Sequence, residues 1–321
     1  MQGFNLNETY TIILKDKNIL SALCGANDKN LAMLEKHFGA QIVCRGNELG
    51  ILTSDDEVCK KFQHLIDKAV HSPEMTSENS GEYLQCLIGT VEGNTAYTDD
   101  EYAQACIHIP RGIRSVYPKN RHQFEFIMSI KNNDISFGLG AAGTGKTYIA
   151  MACALEMLLQ HKVRKIILTR PVVEAGESLG FLPGDLVQKI TPYLRPLYDT
   201  MELLLPFELI RQMEETNMFE VAPLAYMRGR TLHNSVVILD EAQNTTKEQM
   251  KMFLTRMGEN SKLIITGDPS QSDIGSAKNS GLSHAANLLN KIKGIGIIEF
   301  SAKDVVRHSL VQKIITAYDK E

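Results

Sequence analysis

The stretch GLGAAGTGKTYIA, residues 138–150, constrains the fold of this chain more than any other segment. From Gly140 it fits the pattern GxxxxGK[ST], in which backbone N–H groups wrap phosphates, the lysine reaches the β- and γ-phosphate oxygens and the hydroxyl ligates Mg²⁺. An apolar strand, DISFGLG, precedes the loop, and the helix-forming run GKTYIAMACALEMLLQ follows it. The sequence therefore predicts a P-loop whose nucleotide-binding residues are Gly140, Ala141, Ala142, Gly143, Thr144, Gly145, Lys146, Thr147 and Tyr148.

A second glycine pattern overlaps the first. Gly138, Gly140 and Gly143 fit GxGxxG, which in a dinucleotide-binding unit brings a helix N-terminus against a pyrophosphate. Such a unit needs an acidic residue about twenty positions later, where this chain reads KVRKIILTR. The pattern also leaves Lys146 and Thr147 without a role, so the P-loop is favoured. In the absence of a ligand, Lys146 is expected to face solvent.

Carboxylates follow two further apolar runs. NSVVILDEAQN ends in Asp240 and Glu241, and burying two acids without partners is costly, which favours a functional pair. Asp240 is predicted to hold Mg²⁺ through water together with Thr147, and Glu241 to orient or deprotonate the attacking water. SKLIITGDPSQSD supplies Gln271, which either reports on the γ-phosphate or belongs to a simple turn. The predicted catalytic residues in this core are Lys146, Glu241 and Gln271.

Composition and length narrow the class of protein. A chain of 321 residues with 43% apolar content can bury a core in each of two domains. The six cysteines form no CxxC pair, which argues against zinc and against a secreted disulfide framework. The chain has no run of eighteen apolar residues and no basic-then-apolar start. A cytoplasmic α/β protein with a parallel sheet and no membrane contact is expected.

The N-terminal part has its own pattern. Before the polar stretch HSPEMTSENSGE, residues 71–82, the strands and helices are predicted in the order β-α-α-β-β-α, with a turn over GNELG, residues 46–50. This order resembles a KH domain, in which a GxxG turn clamps a nucleic-acid backbone. The predicted division is a KH-like α+β module over 1–72, a linker and junction over 73–106, and a P-loop ATPase domain over 107–321.

The turn that corresponds to GxxG departs from the KH pattern. It reads Gly25-Ala26-Asn27-Asp28, so that a carboxylate stands where a phosphate would approach. Residues 1–85 carry 8 Lys+Arg and 12 Asp+Glu, a net charge of -4. RNA binding by this turn stays open, and a protein-contact or assembly role is favoured.

Two features precede the P-loop strand. Arg111, Arg114, Lys119 and Arg121 form a basic cluster, which is either a solvated face or a contact for an RNA backbone. Gln123 either reads adenine, because an amide can hydrogen-bond both edges of the base, or lies on a helix surface.

Several motifs together resemble the PhoH family of P-loop ATPases, namely GAAGTGKTYIAMA, ILTRPVVEAGESLGFLPGD, PLAYMRGRTLHNSVVILDEAQNTT, MFLTRMGENSKLIITGDPSQSD and DVVRH. The ATPase core of that family is similar to the first RecA-like domain of superfamily 1 helicases. The match covers most of 107–315, and the N-terminal module resembles the KH-like domain of the longer members. The resemblance implies ATP hydrolysis with Mg²⁺, action on single-stranded RNA or ribonucleoprotein, and a homo-oligomeric ring, with a hexamer favoured.

Other nucleotide enzymes fit less well. NKIK at Asn290 and SAK at Ser301 superficially match the guanine-reading elements of GTPases, but Lys293 replaces the carboxylate that guanine requires. DEAQ also differs from the D-x-x-G of that class. A small-metabolite kinase would want an arginine-rich lid and no Glu241. ATP is therefore the expected nucleotide, and a slow nucleotide-gated binding switch without helicase activity is the alternative function.

The resemblance to helicases also raises the question of an arginine finger. Those helicases complete the site with arginines from a second RecA-like domain, but only about fifty residues follow GDPSQ, too few for another domain. The missing arginine is therefore expected from a neighbouring subunit, from Arg307 in DVVRH as first choice or from Arg256 in LTRMG. An intrachain salt bridge is the alternative for both arginines.

Overall fold

The structure is a computed structural model, and it describes residues 9–72, 75, 80–91, 104–113, 115–171, 195–272 and 280–306. The chain divides into two compact units. One comprises Met1–Cys106 with Arg114–Asn120, and the other Ile107–Ile113 with Arg121–Glu321.

The first unit contains the predicted β-α-α-β-β-α order. Its elements are β1 (Thr9–Ile13), α1 (Lys17–Cys24), α2 (Lys29–Phe38), β2 (Gln41–Arg45), β3 (Glu48–Leu52) and α3 (Asp56–His71). The strands form an antiparallel sheet in the order β1-β3-β2. Asp16 and Asp55 cap α1 and α3, each accepting a hydrogen bond from a backbone N–H of the first turn. The predicted small α+β module is confirmed.

The hairpin between β2 and β3 is tighter than predicted. Arg45 pairs with Glu48, so the turn is Gly46 and Asn47 alone and the predicted five-residue turn over 46–50 is wrong. Gly46 has φ 63°, a conformation that suits glycine at the first position of a two-residue hairpin turn. The earlier start of β3 places Leu49 in the core of the unit.

The polar segment after α3 leads into a further helix. Residues 80–91, which are predicted to belong to a linker, form α4 (Ser80–Val91). Its Leu84 and Leu87 share one core with Phe62 of α3, and Met75 belongs to the same core. The spacing of Leu84 and Leu87 places them on one helix face, which explains why this segment packs rather than connects.

The second unit is built on a six-stranded parallel sheet. Its elements are α5 (Arg121–Asn132), β4 (Ile135–Gly140), α6 (Lys146–Leu159), β5 (Lys165–Arg170), α7 (Phe207–Glu215), β6 (Phe219–Pro223), β7 (Ser235–Leu239), α8 (Lys247–Leu254), β8 (Lys262–Gly267), α9 (Gly281–Leu289) and β9 (Ile295–Phe300). The strand order is β6-β5-β7-β8-β4-β9, and every pairing is parallel. This is the predicted RecA-like P-loop NTPase fold.

Burial explains how the sheet is covered. All five residues of β7 are buried, as expected for a central parallel strand covered on both faces. The run IAMACALEML in α6, residues 149–158, is buried on all sides, which is typical of a helix enclosed by a core. Short 3₁₀ turns follow β6, β7 and β9, at Leu224–Met227, Ala242–Asn244 and Ala302–Asp304. The carboxyl ends of the parallel strands therefore converge on one edge, where ligands bind in such sheets.

An ion triad fixes the outer strand β6 to its neighbour. Glu220 accepts from Nη1 of Arg230 at 2.6 Å and lies 2.7 Å from Nζ of Lys165 in β5. Hydrogen bonding from Arg230, opposed by burial and reinforced by Lys165, lowers the pKa of Glu220 to about 2. The triad therefore remains charged at neutral pH.

Among the described residues, no group of three or more His, Cys, Asp or Glu side chains could hold a metal ion. All six cysteines are free thiols; Cys86 and Cys153 are buried and the rest are partly buried. Within the described ranges, no helix combines the length and apolar character needed to cross a bilayer.

Candidate nucleotide-binding site

The P-loop lies between β4, which ends at Gly140, and α6, which begins at Lys146. Gly140, Gly143 and Gly145 all have positive φ, at 123°, 81° and 86°. A Cβ at Gly140 would overlap the carbonyl oxygen of Phe300, so this position requires glycine. The strand, loop and helix that the sequence predicts are present, and the loop forms a cradle that only glycines can build.

Lys146 does not face solvent, and that expectation is wrong. Its side chain turns back over the loop, where Nζ donates to the carbonyl oxygens of Gly140 at 2.6 Å and Ala141 at 2.7 Å. A third hydrogen bond reaches Oγ1 of Thr144 at 3.2 Å, and the residue is only 7% exposed. A buried ammonium needs such acceptors, and oxygens of the loop supply them.

Thr147 and Asp240, the predicted metal pair, are brought into direct contact. The Oγ1 of Thr147 donates to Oδ1 of Asp240 at 2.7 Å, and Oγ1 of Thr266 donates to the same oxygen at 2.6 Å. Asp240 follows β7 and is 2% exposed. Hydroxyl and carboxylate oxygens are the hard donors that Mg²⁺ prefers, so these residues fit a magnesium ion beside the P-loop.

Arg170, the last residue of β5, completes this arrangement and was not predicted. Its Nε and Nη2 donate to Oδ2 of Asp240 at 2.9 and 2.5 Å. The contact arises because β5 lies beside β7, with Thr169 paired to Leu239. The available signal was the run KIILTR, since an arginine that ends a buried strand needs an anion.

Glu241 projects into the cleft from a strained backbone. Its φ is 53°, in the left-handed region, and its side chain is 48% exposed. Oε2 accepts a hydrogen bond from Nε2 of Gln243 at 2.6 Å. Glu241 is thus the accessible acid of the pair, whereas Asp240 is the enclosed one.

Gln243 links Glu241 to the P-loop, a role that sequence reasoning missed. The side chain is buried, and its Oε1 accepts from the backbone N of Asp268 at 3.0 Å. Asp268 in turn accepts from the backbone N of Ala142 at 3.1 Å. A continuous chain of hydrogen bonds therefore runs from the acid to the loop, and the signal for it was the glutamine of DEAQ.

These groups surround one cleft of about 270 Å³. Gln271, which the sequence placed near the γ-phosphate, is exposed and lines it, together with Thr200 from the helical stretch 195–202. The remaining lining residues are Ala142, Gly143, Gly145, Lys146, Thr147, Tyr148, Asp240, Glu241, Gly267 and Asp268. Hydrogen-bond donors and acids thus share one cavity at the carboxyl edge of the sheet.

Gln123 does not lie on a helix surface, and that alternative is wrong. It is 5% exposed, and its Nε2 donates to the carbonyl oxygen of Thr144 at 2.9 Å, which fixes the P-loop from α5. The preceding His122 contacts Asp304 through Nδ1 and Oδ2 at 2.8 Å. Burial raises the pKa of Asp304, but hydrogen bonds from His122 and Ser301 outweigh it and leave the pKa lowered.

Of the two arginines predicted to act as a finger, Arg256 and Arg307, the structure describes the first. Arg256 donates from Nε to Met252 O, from Nη1 to Arg230 O and from Nη2 to Thr255 Oγ1, each at 3.2 Å. These partners are neutral oxygens of its own chain, whereas the predicted alternative for Arg256 was a salt bridge. Arg307 lies outside the described residues.

The two predicted RNA contacts have distinct local structures. In the turn at 25–28, Asn27 and Asp28 have φ of 53° and 56°, and Asp28 is exposed. In the basic cluster, Arg121 is paired with Glu125 at 2.8 Å, and Arg114 lies outside the described residues. Arg111 and Lys119 are exposed.

Relatives are found along nearly the whole chain. A family model for "PhoH-like protein" matches residues 115–319. The PhoH-like protein of Bacillus subtilis (strain 168) is 45% identical over 309 residues, covering 96% of this chain and 96% of that protein. The PhoH-like protein of Mycobacterium tuberculosis (strain ATCC 25618 / H37Rv) is 44% identical, covering 94% of this chain and 85% of that protein. The PhoH-like protein of a Synechocystis species is 40% identical, covering 97% of this chain and 95% of that protein. The predicted resemblance is confirmed: the chain belongs to the PhoH-like protein family.

Proposed function

We propose that this protein is a cytoplasmic Mg²⁺-dependent ATPase that couples ATP hydrolysis to binding or remodelling of single-stranded RNA or ribonucleoprotein. One observation carries the hydrolytic part: the P-loop, the contact between Thr147 and Asp240, and the accessible acid Glu241 line the same cleft. Phosphoryl transfer to water needs all three of these components, which bind the phosphates, the metal ion and the attacking water.

Each side chain at the site has a separate role in the proposed hydrolysis. Lys146 exchanges its loop carbonyls for β- and γ-phosphate oxygens, because both sets are acceptors for the same ammonium. Thr147 and, through water, Asp240 would hold Mg²⁺, which would supply positive charge against the phosphates. Glu241 accepts the proton of the attacking water, and Gln243 fixes the orientation of its carboxylate.

ATP is favoured over GTP on chemical grounds. Lys293 stands where a guanine-reading carboxylate is needed. The motif DEAQ, which begins at Asp240, also differs from the D-x-x-G of GTPases. Gln123 gives its Nε2 to the P-loop backbone, and we propose that its contribution to nucleotide binding is to hold Thr144 in place.

Stimulation by RNA tests whether hydrolysis drives a motor. Steady-state phosphate release by the full chain is measured with and without single-stranded RNA, with double-stranded RNA as a matched control. Turnover that rises with single-stranded RNA supports a remodelling ATPase. Tight ATP binding with negligible turnover in every condition supports instead the slow nucleotide-gated switch.

The basic cluster gives a prediction about RNA affinity. Arg111 and Lys119 are exposed cations, and each phosphate contact contributes to the salt dependence of binding. Replacing both by alanine is expected to flatten the plot of log affinity against log salt by about one unit or slightly more. The control replaces exposed Lys162 and Arg211 and should leave the slope unchanged. A wild-type slope in the Arg111 and Lys119 variant would assign the cluster to a solvated face.

Assembly gives a second prediction. We propose a homo-oligomeric ring, with a hexamer favoured, in which Arg307 of one subunit completes the site of the next, since an arginine finger is worth about 10³ to 10⁵ in rate. Lys146→Ala and Arg307→Ala chains should each be inactive alone. Mixed rings contain some interfaces with an intact P-loop and an intact arginine, so partial ATPase activity should return.

The mixing experiment needs proof of subunit exchange, for example by energy transfer between labelled chains. An Arg256→Ala chain is mixed in parallel, because Arg256 is bound within its own chain and should not behave as a finger. Subunits that exchange without recovering activity in the mixture of Lys146→Ala with Arg307→Ala would contradict the shared site.

A further inference from the structure

Both carboxylate oxygens of Asp240 have hydrogen-bond partners within the chain. Oδ1 accepts from the hydroxyls of Thr147 and Thr266, and Oδ2 accepts two hydrogen bonds from Arg170. The predicted metal ligand is therefore saturated by groups of its own chain. This inference rests on the proposed role of Asp240 at a magnesium–nucleotide site.

Burial makes the arginine contact more than a surface ion pair. The side chains of Arg170 and Asp240 are 15% and 3% exposed. A carboxylate enclosed to that degree is strongly disfavoured without a cation, and a planar guanidinium that donates two hydrogen bonds is a well-matched partner. The same guanidinium also lies 3.9 Å from Oε1 of Glu241, so it faces both acids of the site.

Mg²⁺ and Arg170 require the same negative charge. A divalent cation held near Asp240 would lie close to the guanidinium, and in a poorly hydrated site like charges repel strongly. Without nucleotide, the ion gains no phosphate ligands to offset the loss of the arginine pair. With nucleotide, phosphate oxygens bind the ion and provide a second anion that can accept the displaced guanidinium.

We propose that Arg170 is a positioning residue that serves as an internal counter-ion. It holds Asp240 in the nucleotide-free protein, blocks binding of Mg²⁺ alone, and is exchanged for the ion only when Mg²⁺ arrives with nucleotide. Arg170 thereby makes nucleotide and metal binding mutually dependent. Because Arg170 ends β5, the exchange also changes the contact between β5 and β7 at the edge of the cleft.

The test measures divalent-ion binding to full-length protein without nucleotide. Arg170→Gln removes the charge and keeps an amide donor. Wild-type protein should show no change of Tm between EDTA and millimolar Mg²⁺, and no bound Mn²⁺ by electron paramagnetic resonance. Arg170→Gln should have a lower Tm in EDTA, recover part of it with Mg²⁺, and bind one Mn²⁺ at least about tenfold more tightly than wild type.

Three variants make the readout specific. Arg170→Gln combined with Asp240→Asn should lose the Mn²⁺ site, since the carboxylate is gone. Arg170→Lys keeps a cation and should bind Mn²⁺ no better than wild type. If Arg170→Gln does not fold, the test rests on Mn²⁺ binding by Arg170→Lys and by wild type. Arg211→Gln breaks an exposed pair with Glu215 and should change neither Tm nor Mn²⁺ binding.

Two results would overturn the proposal. One is nucleotide-free wild type, or Arg170→Lys, that binds Mn²⁺ tightly at the Asp240 site. The other is folded Arg170→Gln whose Tm and Mn²⁺ binding equal those of wild type. Failure of the proposed function is detected separately, as absence of ATP binding by wild type in Mg²⁺, and does not depend on these variants.

Discussion

Lys146→Ala is expected to abolish ATP turnover, lowering the rate of phosphate release by about a hundredfold to a thousandfold or more. The ammonium is the one side-chain cation built into the P-loop pattern, and its loss leaves developing charge on the β- and γ-phosphates without that donor. Because Nζ also donates to two loop carbonyls, the free energy of unfolding should fall by about 1–3 kcal/mol. The sheet core does not involve Lys146, so the variant should still fold.

The measurement pairs phosphate release with thermal denaturation of the same sample. Lys162→Ala, an exposed lysine just after α6, is the matched control and should change neither quantity. A folded Lys146→Ala protein with wild-type turnover would show that the loop is not the site of hydrolysis.

Glu241→Gln should separate binding from chemistry. ATP and Mg²⁺ are expected to bind with near wild-type affinity, because Lys146, Thr147 and Asp240 are intact. Turnover should fall by roughly a hundredfold or more, because an amide cannot accept the proton of the attacking water. Fluorescent-nucleotide titration gives the affinity, and single-turnover hydrolysis gives the rate of the chemical step.

Exposed Glu259 supplies the control for this variant, and Glu259→Gln should have wild-type values of both quantities. If ATP affinity collapses in Glu241→Gln while the protein remains folded, Glu241 is a ligand of the nucleotide complex and not the base.

Features that depend on adjacent residues could be predicted from the sequence. The P-loop is one segment, and its glycines, Lys146 and Thr147 follow from the pattern alone. The acid pair Asp240 and Glu241 could also be predicted, because an apolar run that ends in two acids has few structural explanations. The α/β class followed from such runs alternating with helices.

Contacts that depend on strand order could not be predicted from the sequence. Arg170 meets Asp240 only because β5 pairs with β7, and Gln243 reaches Asp268 only because β7 pairs with β8. The polar residues before Ser80 favoured a linker over this segment, although Leu84 and Leu87 of α4 form a helix face that packs into the core. For Lys146, the pattern defined its role with a ligand but not its contacts without one.

Phosphate release by the purified full-length chain, with ATP in Mg²⁺ and in EDTA, tests the central claim most directly. We expect ADP and inorganic phosphate to form in equal amounts with Mg²⁺, and EDTA to abolish their formation. A folded wild-type protein that neither binds nor hydrolyses ATP in Mg²⁺, with or without single-stranded RNA, would contradict it.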